Sequence, residues 1–101
     1  SSYKEKISSY SKEAEALKKE AEAVTKKSDQ TKNLETYAAI KEKIEALDNK
    51  LDLLDDQMET DYKSGKMAYQ AYQELEQQLD AVEDTLSYAE DTLEYRLDID
   101  D

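Results

Sequence analysis

The apolar residues of this chain fall on three lines, and that pattern decides its fold class. The first line is Tyr3, Ile7, Tyr10, Ala14, Leu17, Ala21 and Val24; the second is Tyr37, Ile40, Ile44, Leu47, Leu51, Leu54 and Met58. The third is Ala68, Tyr72, Leu75, Leu79, Val82, Leu86, Ala89 and Leu93, continued by Leu97. Steps of three and four return an apolar residue to one helix face about every 3.5 positions, the spacing of left-handed supercoiled packing. No stretch supplies the alternation that a half-buried strand needs. Ala, Leu, Glu, Lys and Gln, all good helix formers, fill the remaining positions. The expected fold is all-α.

Two breaks divide the seams. Residues 25–33 form a polar tract in which Ser28, Asp29, Thr31 and Asn33 could each cap a helix N-terminus with a short side-chain oxygen. The seam also slips by one residue here, which would rotate the apolar face of a continuous helix by about 100°. The second break holds the sole glycine, Gly65, which can take the left-handed conformation that closes a helix, with Met67 placed for an accompanying apolar contact. The spacing predicts helices over about 3–27, 34–63 and 67–99, in a single domain covering 1–101. Similar lengths and short connections favour an antiparallel up-down-up three-helix bundle with heptad, coiled-coil-like packing. The alternative is one continuous helix over 1–63, pairing two chains into an elongated antiparallel dimer.

Charge is graded along the chain. Residues 1–33 hold eight Lys against six acids, residues 34–64 four Lys against nine acids, and residues 65–101 Lys66 and Arg96 against eleven acids. A basic first helix beside an acidic third would offset part of the repulsion in a chain of net charge −12. The first seam is thin, because Ala14 and Ala21 bury little where a large apolar side chain would contribute roughly 1.5–3 kcal/mol. Helix one is therefore expected to be the least protected element.

Composition excludes more than it offers. With no His and no Cys, Ser-His triads, thiolate nucleophiles, His bases and Cys/His zinc sites cannot be built. Ser8, Ser9, Ser64 and Ser87 lack a histidine partner. The run Asp48, Asp52, Asp55, Asp56, Glu59 and Asp61 lies on a predicted helix, so its carboxylates should fan outward as a solvated face rather than converge on calcium. No enzyme activity, metal or cofactor is expected. Phosphate contacts need clustered Lys and Arg, so no nucleic-acid partner is expected either. The longest apolar runs, such as Tyr37-Ala38-Ala39-Ile40, are too short to span a bilayer.

All eight aromatic residues are tyrosines. Tyr3, Tyr10, Tyr37 and Tyr72 lie on the seams, where rings pack and hydroxyls reach the rim; Tyr62 and Tyr69 flank the Gly65 turn and could cap that end. Tyr88 and Tyr95 belong to a second stripe on helix three: Ala81, Thr85, Tyr88, Thr92, Tyr95 and Ile99. Its plainer reading is a wide buried face toward helices one and two. Its sharper reading is a surface for a protein partner or for self-association, since tyrosine is enriched in interface hot spots.

The length and three-helix heptad layout resemble a spectrin-type repeat, although the absence of Trp and Phe removes that family's usual aromatic anchor. No functional residue carries over from the likeness. The function expected is a non-catalytic helical interaction or spacer module of a larger or surface-attached bacterial protein. The start at Ser1-Ser2-Tyr3, without Met, suggests a processed product or an excised piece. Thirteen Lys to one Arg and no Cys lean toward an extracytoplasmic or cell-surface setting. The alternative is a small acidic intracellular regulator or chaperone. It would bind a basic partner or mimic nucleic acid through Asp80, Glu83, Asp84, Glu90, Asp91 and Glu94.

Overall fold

Ser2 opens the first helix with a reciprocal cap. Its Oγ accepts from the Glu5 N–H at 3.2 Å, and the Glu5 carboxylate accepts from the Ser2 N–H at 2.9 Å. This is the Ser-x-x-Glu capping box, which satisfies two amides that a first turn otherwise leaves open. The structure, a computed structural model describing residues 2–100, contains three helices: α1 (Tyr3–Glu22), α2 (Gln30–Lys63) and α3 (Tyr69–Leu97). All three pack on one another as an antiparallel bundle, 55 Å long and about 20 Å across. The continuous 1–63 helix does not form.

The seams make the core. Ile7, Ala14, Leu17, Ala21 and Val24 meet Ile40, Ile44, Leu47, Leu51, Leu54 and Met58, and the stripe from Leu75 to Leu97 closes the third side. Tyr3, Tyr10, Tyr37 and Tyr72 pack against this core, as does Met67. Ala68 does not; it is exposed and serves as the N-cap of α3, without a side-chain oxygen to offer. Ala14, Ala21 and Ala89 are fully buried. These small side chains let α1 lie close along α3, where its most extensive contacts are made.

The helix ends differ from the expected 3–27, 34–63 and 67–99 for identifiable reasons. α1 stops at Glu22, five residues early, while α2 starts at Gln30, four residues early. Asp29 is the N-cap of α2, its Oδ1 accepting from the Thr31 N–H at 2.9 Å. Asn33 is therefore not a cap; it sits buried inside α2. Its side chain binds both backbone groups of Lys27, so that residue's N–H and C=O are satisfied without a helical partner. Helical rise also matters. α2 has 34 residues to α1's 20, a difference of about 21 Å. Non-helical chain, rising by up to about 3.3–3.6 Å per residue, closes that gap faster than helix can.

α2 and α3 close alike. Gly65 has φ 82°, the Gly65 N–H donates to the Tyr62 carbonyl at 3.1 Å, and the Lys66 N–H donates to the Asp61 carbonyl at 2.8 Å. At the end of α3, Asp98 has φ 54°; its N–H donates to the Tyr95 carbonyl at 3.3 Å and the Ile99 N–H to the Glu94 carbonyl at 3.0 Å. Both are Schellman closures. Ile99 then packs against the core.

Candidate functional site

The second stripe of α3 divides along its length. Ala81 is exposed, Thr85 and Thr92 are half-buried, and Ile99 is partly buried against the core. The Thr85 hydroxyl donates back to the Ala81 carbonyl at 3.2 Å. Tyr88 keeps 49% of its surface exposed and Tyr95 keeps 87%. A wide buried face therefore does not describe the two tyrosines.

The end of α1 explains the division. The Lys18 ammonium sits 5.2 Å from the Tyr88 ring centroid, and the Tyr88 hydroxyl donates to the Glu22 carboxylate at 3.3 Å. Glu22 is the last residue of α1. Tyr95 lies seven residues further along α3, about 10.5 Å beyond Tyr88, where no helical turn of α1 remains beside it. Its surroundings are a shallow notch lined by Lys26, Glu94, Arg96, Asp98 and Ile99. The Lys26 ammonium lies 3.4 Å from the Asp98 carboxylate there, both well exposed.

Of the acidic run on α2, Asp48, Asp52, Asp56 and Glu59 are exposed, as a solvated face requires, while Asp55 and Asp61 are half-buried. Asp56 and Asp61 border Tyr3 on the α1 side, and the Tyr3 hydroxyl donates to the Asp61 carboxylate at 2.5 Å. Asp48, Asp52 and Asp55 instead line the α2–α3 edge, opposite Glu76, Asp80, Glu83 and Glu90. Burial, then the charges of Asp52, Glu90 and Glu45, raises the Asp48 carboxyl above its ordinary value. Burial, a hydrogen bond with Asp80 and the neighbouring acids raise Glu83. Glu76 is pushed up to about 7, first by burial and then by its hydrogen bond with Asp55.

Cations stand at the two ends of this edge. Lys41 pairs with Glu90 and lies 4.0 Å from Glu94; at the other end Lys63 meets Glu59 at 2.9 Å, one turn away on α2. Between them Ile44, Glu45, Asp48, Glu83, Leu86, Ser87 and Glu90 line a hollow of about 160 Å³. Among the described residues, no three acids are grouped so as to hold a metal ion. No helix there is long and apolar enough to cross a membrane.

The charge gradient takes a different form from simple pairing of α1 with α3. α1 does lie along α3, but Lys43 meets Glu20 at 3.1 Å and Lys50 meets Glu13 at 3.5 Å, so α2 supplies cations to α1. The like-charged α2–α3 edge was not anticipated, yet its signal was present. Asp48, Asp52, Asp55 and Glu59 flank the α2 seam in steps of four and three, and Glu76, Asp80, Glu83, Glu90 and Glu94 flank the α3 seam in the same phase. Such flanking positions ordinarily carry opposite charges across a helical interface.

No family model, curated protein or solved structure matches the chain. The spectrin-type likeness therefore remains one of length and layout, and the functional reading rests on the surfaces above.

Proposed function

We propose that this chain is a non-catalytic helical interaction or spacer module of a larger or surface-attached bacterial protein, with the Tyr88–Tyr95 face of α3 as its contact surface. The observation that carries the reading is Tyr95, a large ring left 87% exposed just past the end of α1. Tyrosine supplies broad contact area at low conformational cost and is enriched among residues that dominate interface energetics. The 55 Å rod suits a spacer, since it sets a distance between whatever is joined at its ends.

Sedimentation equilibrium of the wild type and of Tyr88→Ser/Tyr95→Ser tests the contact surface. The expected outcome is concentration-dependent self-association that persists at high salt and is lost in the double variant, with helicity and Tm nearly unchanged. A monomeric wild type at every concentration removes self-association and leaves the spacer role. A large fall in Tm in the variant assigns the tyrosines to holding the bundle together.

The acidic edge favours a second reading, a regulator that binds a basic partner. Titration with an oligolysine peptide tests it. Tight binding with a steep loss as salt rises supports this reading, because exposed charges interact over only about 8 Å at physiological ionic strength. Absence of binding at low salt removes it.

A further inference from the structure

We propose that Glu76 takes up a proton and donates it in a hydrogen bond to Asp55 across the α2–α3 edge, so that the bundle tightens as pH falls from neutral to mildly acidic. The geometry comes first. Asp55 Oδ1 and Glu76 Oε1 are both buried, and neither has a hydrogen-bond donor among the described residues. The two carboxyls are within hydrogen-bonding reach of one another. Two carboxylates cannot satisfy each other, because each offers only acceptors; one proton converts the contact into a donor–acceptor pair.

The Tyr72 hydroxyl also hydrogen-bonds Glu76, and its ring stacks on Tyr62 with centroids 4.7 Å apart and planes at 6°. On α3, Asp80 and Glu83 follow; on α2, Asp52 and Glu59 flank Asp55. The described ion pairs place no cation on Asp55 or Glu76, and Lys63 is engaged with Glu59. On α1, Glu13 and Glu20 meet Lys50 and Lys43, the Tyr3 hydroxyl meets Asp61, and Lys4, Lys12 and Glu15 lie along α3 beside Gln78, Ala81 and Thr85. Burial and the charges of Asp55 and Asp80 favour the protonated form of Glu76, and the Tyr72 hydroxyl, which favours the ionised form, opposes them only in part.

The direction of the pH effect follows from the raised carboxyl. A group whose folded value lies above its unfolded one contributes stability that is complete below the unfolded value, near 4.5, and lost as pH rises through the folded value, about 7. Glu83 and Asp48, raised for the same reasons, act in the same direction. Glu5 opposes them. Its carboxylate is held below the ordinary value by the Ser2 backbone and hydroxyl, so the capping box is present above 4.5 and lost as pH falls lower. Stability should therefore peak in mildly acidic solution.

Residue-resolved NMR titration of the Glu76 carboxyl, with urea unfolding across the same pH range, tests the proposal. The expected midpoint for Glu76 is about 7 in the wild type, moving toward the ordinary glutamate range in Asp55→Asn. The wild-type unfolding constant should fall on acidification, by up to about tenfold per pH unit for each proton taken up. Glu76→Gln should flatten this dependence. A wild-type midpoint in the ordinary glutamate range overturns the proposal, as does an unchanged pH slope in Glu76→Gln. The wild-type titration decides the matter even if a variant fails to fold.

Discussion

Asn33 grips Lys27 by both backbone groups: its Oδ1 accepts from the Lys27 N–H at 2.8 Å, and its Nδ2 donates to the Lys27 carbonyl at 2.8 Å. A further bond runs from Nδ2 to the Gln30 side-chain oxygen at 3.1 Å. The side chain is 1% exposed. An amide inside a helix thus does for the non-helical chain what a neighbouring backbone would do, and it fixes how the α1–α2 connection enters the bundle.

Truncating that amide should be costly, because Lys27 would keep two backbone groups in a partly buried place with no partner. Asn33→Ala is expected to destabilise by about 2 kcal/mol. Asn33→Asp should cost more, since it removes the donor and buries a charge. Urea unfolding gives the free energies, and amide exchange at Lys27 should accelerate in both variants. Unchanged exchange at Lys27 would show that the clamp is not what holds this segment.

The two left-handed closures predict opposite responses to complementary substitutions. Gly65 has open space where a Cβ would stand, so Gly65→Ala should lose only the backbone preference, about 1 kcal/mol. Asp98 already pays that preference at φ 54°. Asp98→Gly should therefore gain about 1 kcal/mol, because the exposed pair it makes with Lys26 contributes little. Thermal unfolding of both variants checks the signs; a destabilised Asp98→Gly would mean that the Lys26 contact outweighs the backbone strain.

The core was legible in the sequence because its signal is periodic. Every residue of the first two seams, and all of the third except Ala68, packs in or against the core. Gly65 was readable for the same kind of reason, since one residue type alone occupies that backbone region freely. The end of α1 was not readable. Lys26 and Lys27 suit a helix C-terminus by charge, but they lie beyond Ala23 in non-helical chain whose backbone is held by a buried side chain six residues beyond Lys27. The capping box is written in Ser2-Tyr3-Lys4-Glu5 as a Ser-x-x-Glu spacing, outside the three-and-four periodicity that marks the seams. Exposure of Tyr95 depends on where α1 stops, so it inherited the uncertainty of that end.

Tyr3 ties the first turn of α1 to the last turn of α2 through Asp61. That hydrogen bond, followed by burial and the Asp61 charge, pushes the phenol up to about 12. Because the folded value is raised, its contribution is complete below pH 10 and lost as pH rises through about 12. Tyr3→Phe keeps the ring and removes the donor, and should cost about 1–2 kcal/mol at neutral pH. It should also reduce the alkaline loss of stability. An unaltered alkaline profile would mean that other groups govern unfolding there.

α1 is the shortest helix, and its hold on the bundle depends on close approach to α3. Ala14 and Ala21 are fully buried, as is Ala89 on α3. A larger side chain at Ala14 has no void to enter, so Ala14→Leu should cost about 1–3 kcal/mol by forcing the helices apart. The loss should not spread evenly. In the one core that all three helices share, α2 and α3 contribute large side chains such as Ile44, Leu51, Leu79 and Leu86, whereas the middle of α1 contributes only Ala14, Leu17 and Ala21. Hydrogen exchange of Ala14→Leu should show α1 amides opening by a larger factor than those of the α2–α3 pair. Equal acceleration in all three helices would make the bundle one cooperative unit and would remove the expectation that α1 is its least protected element.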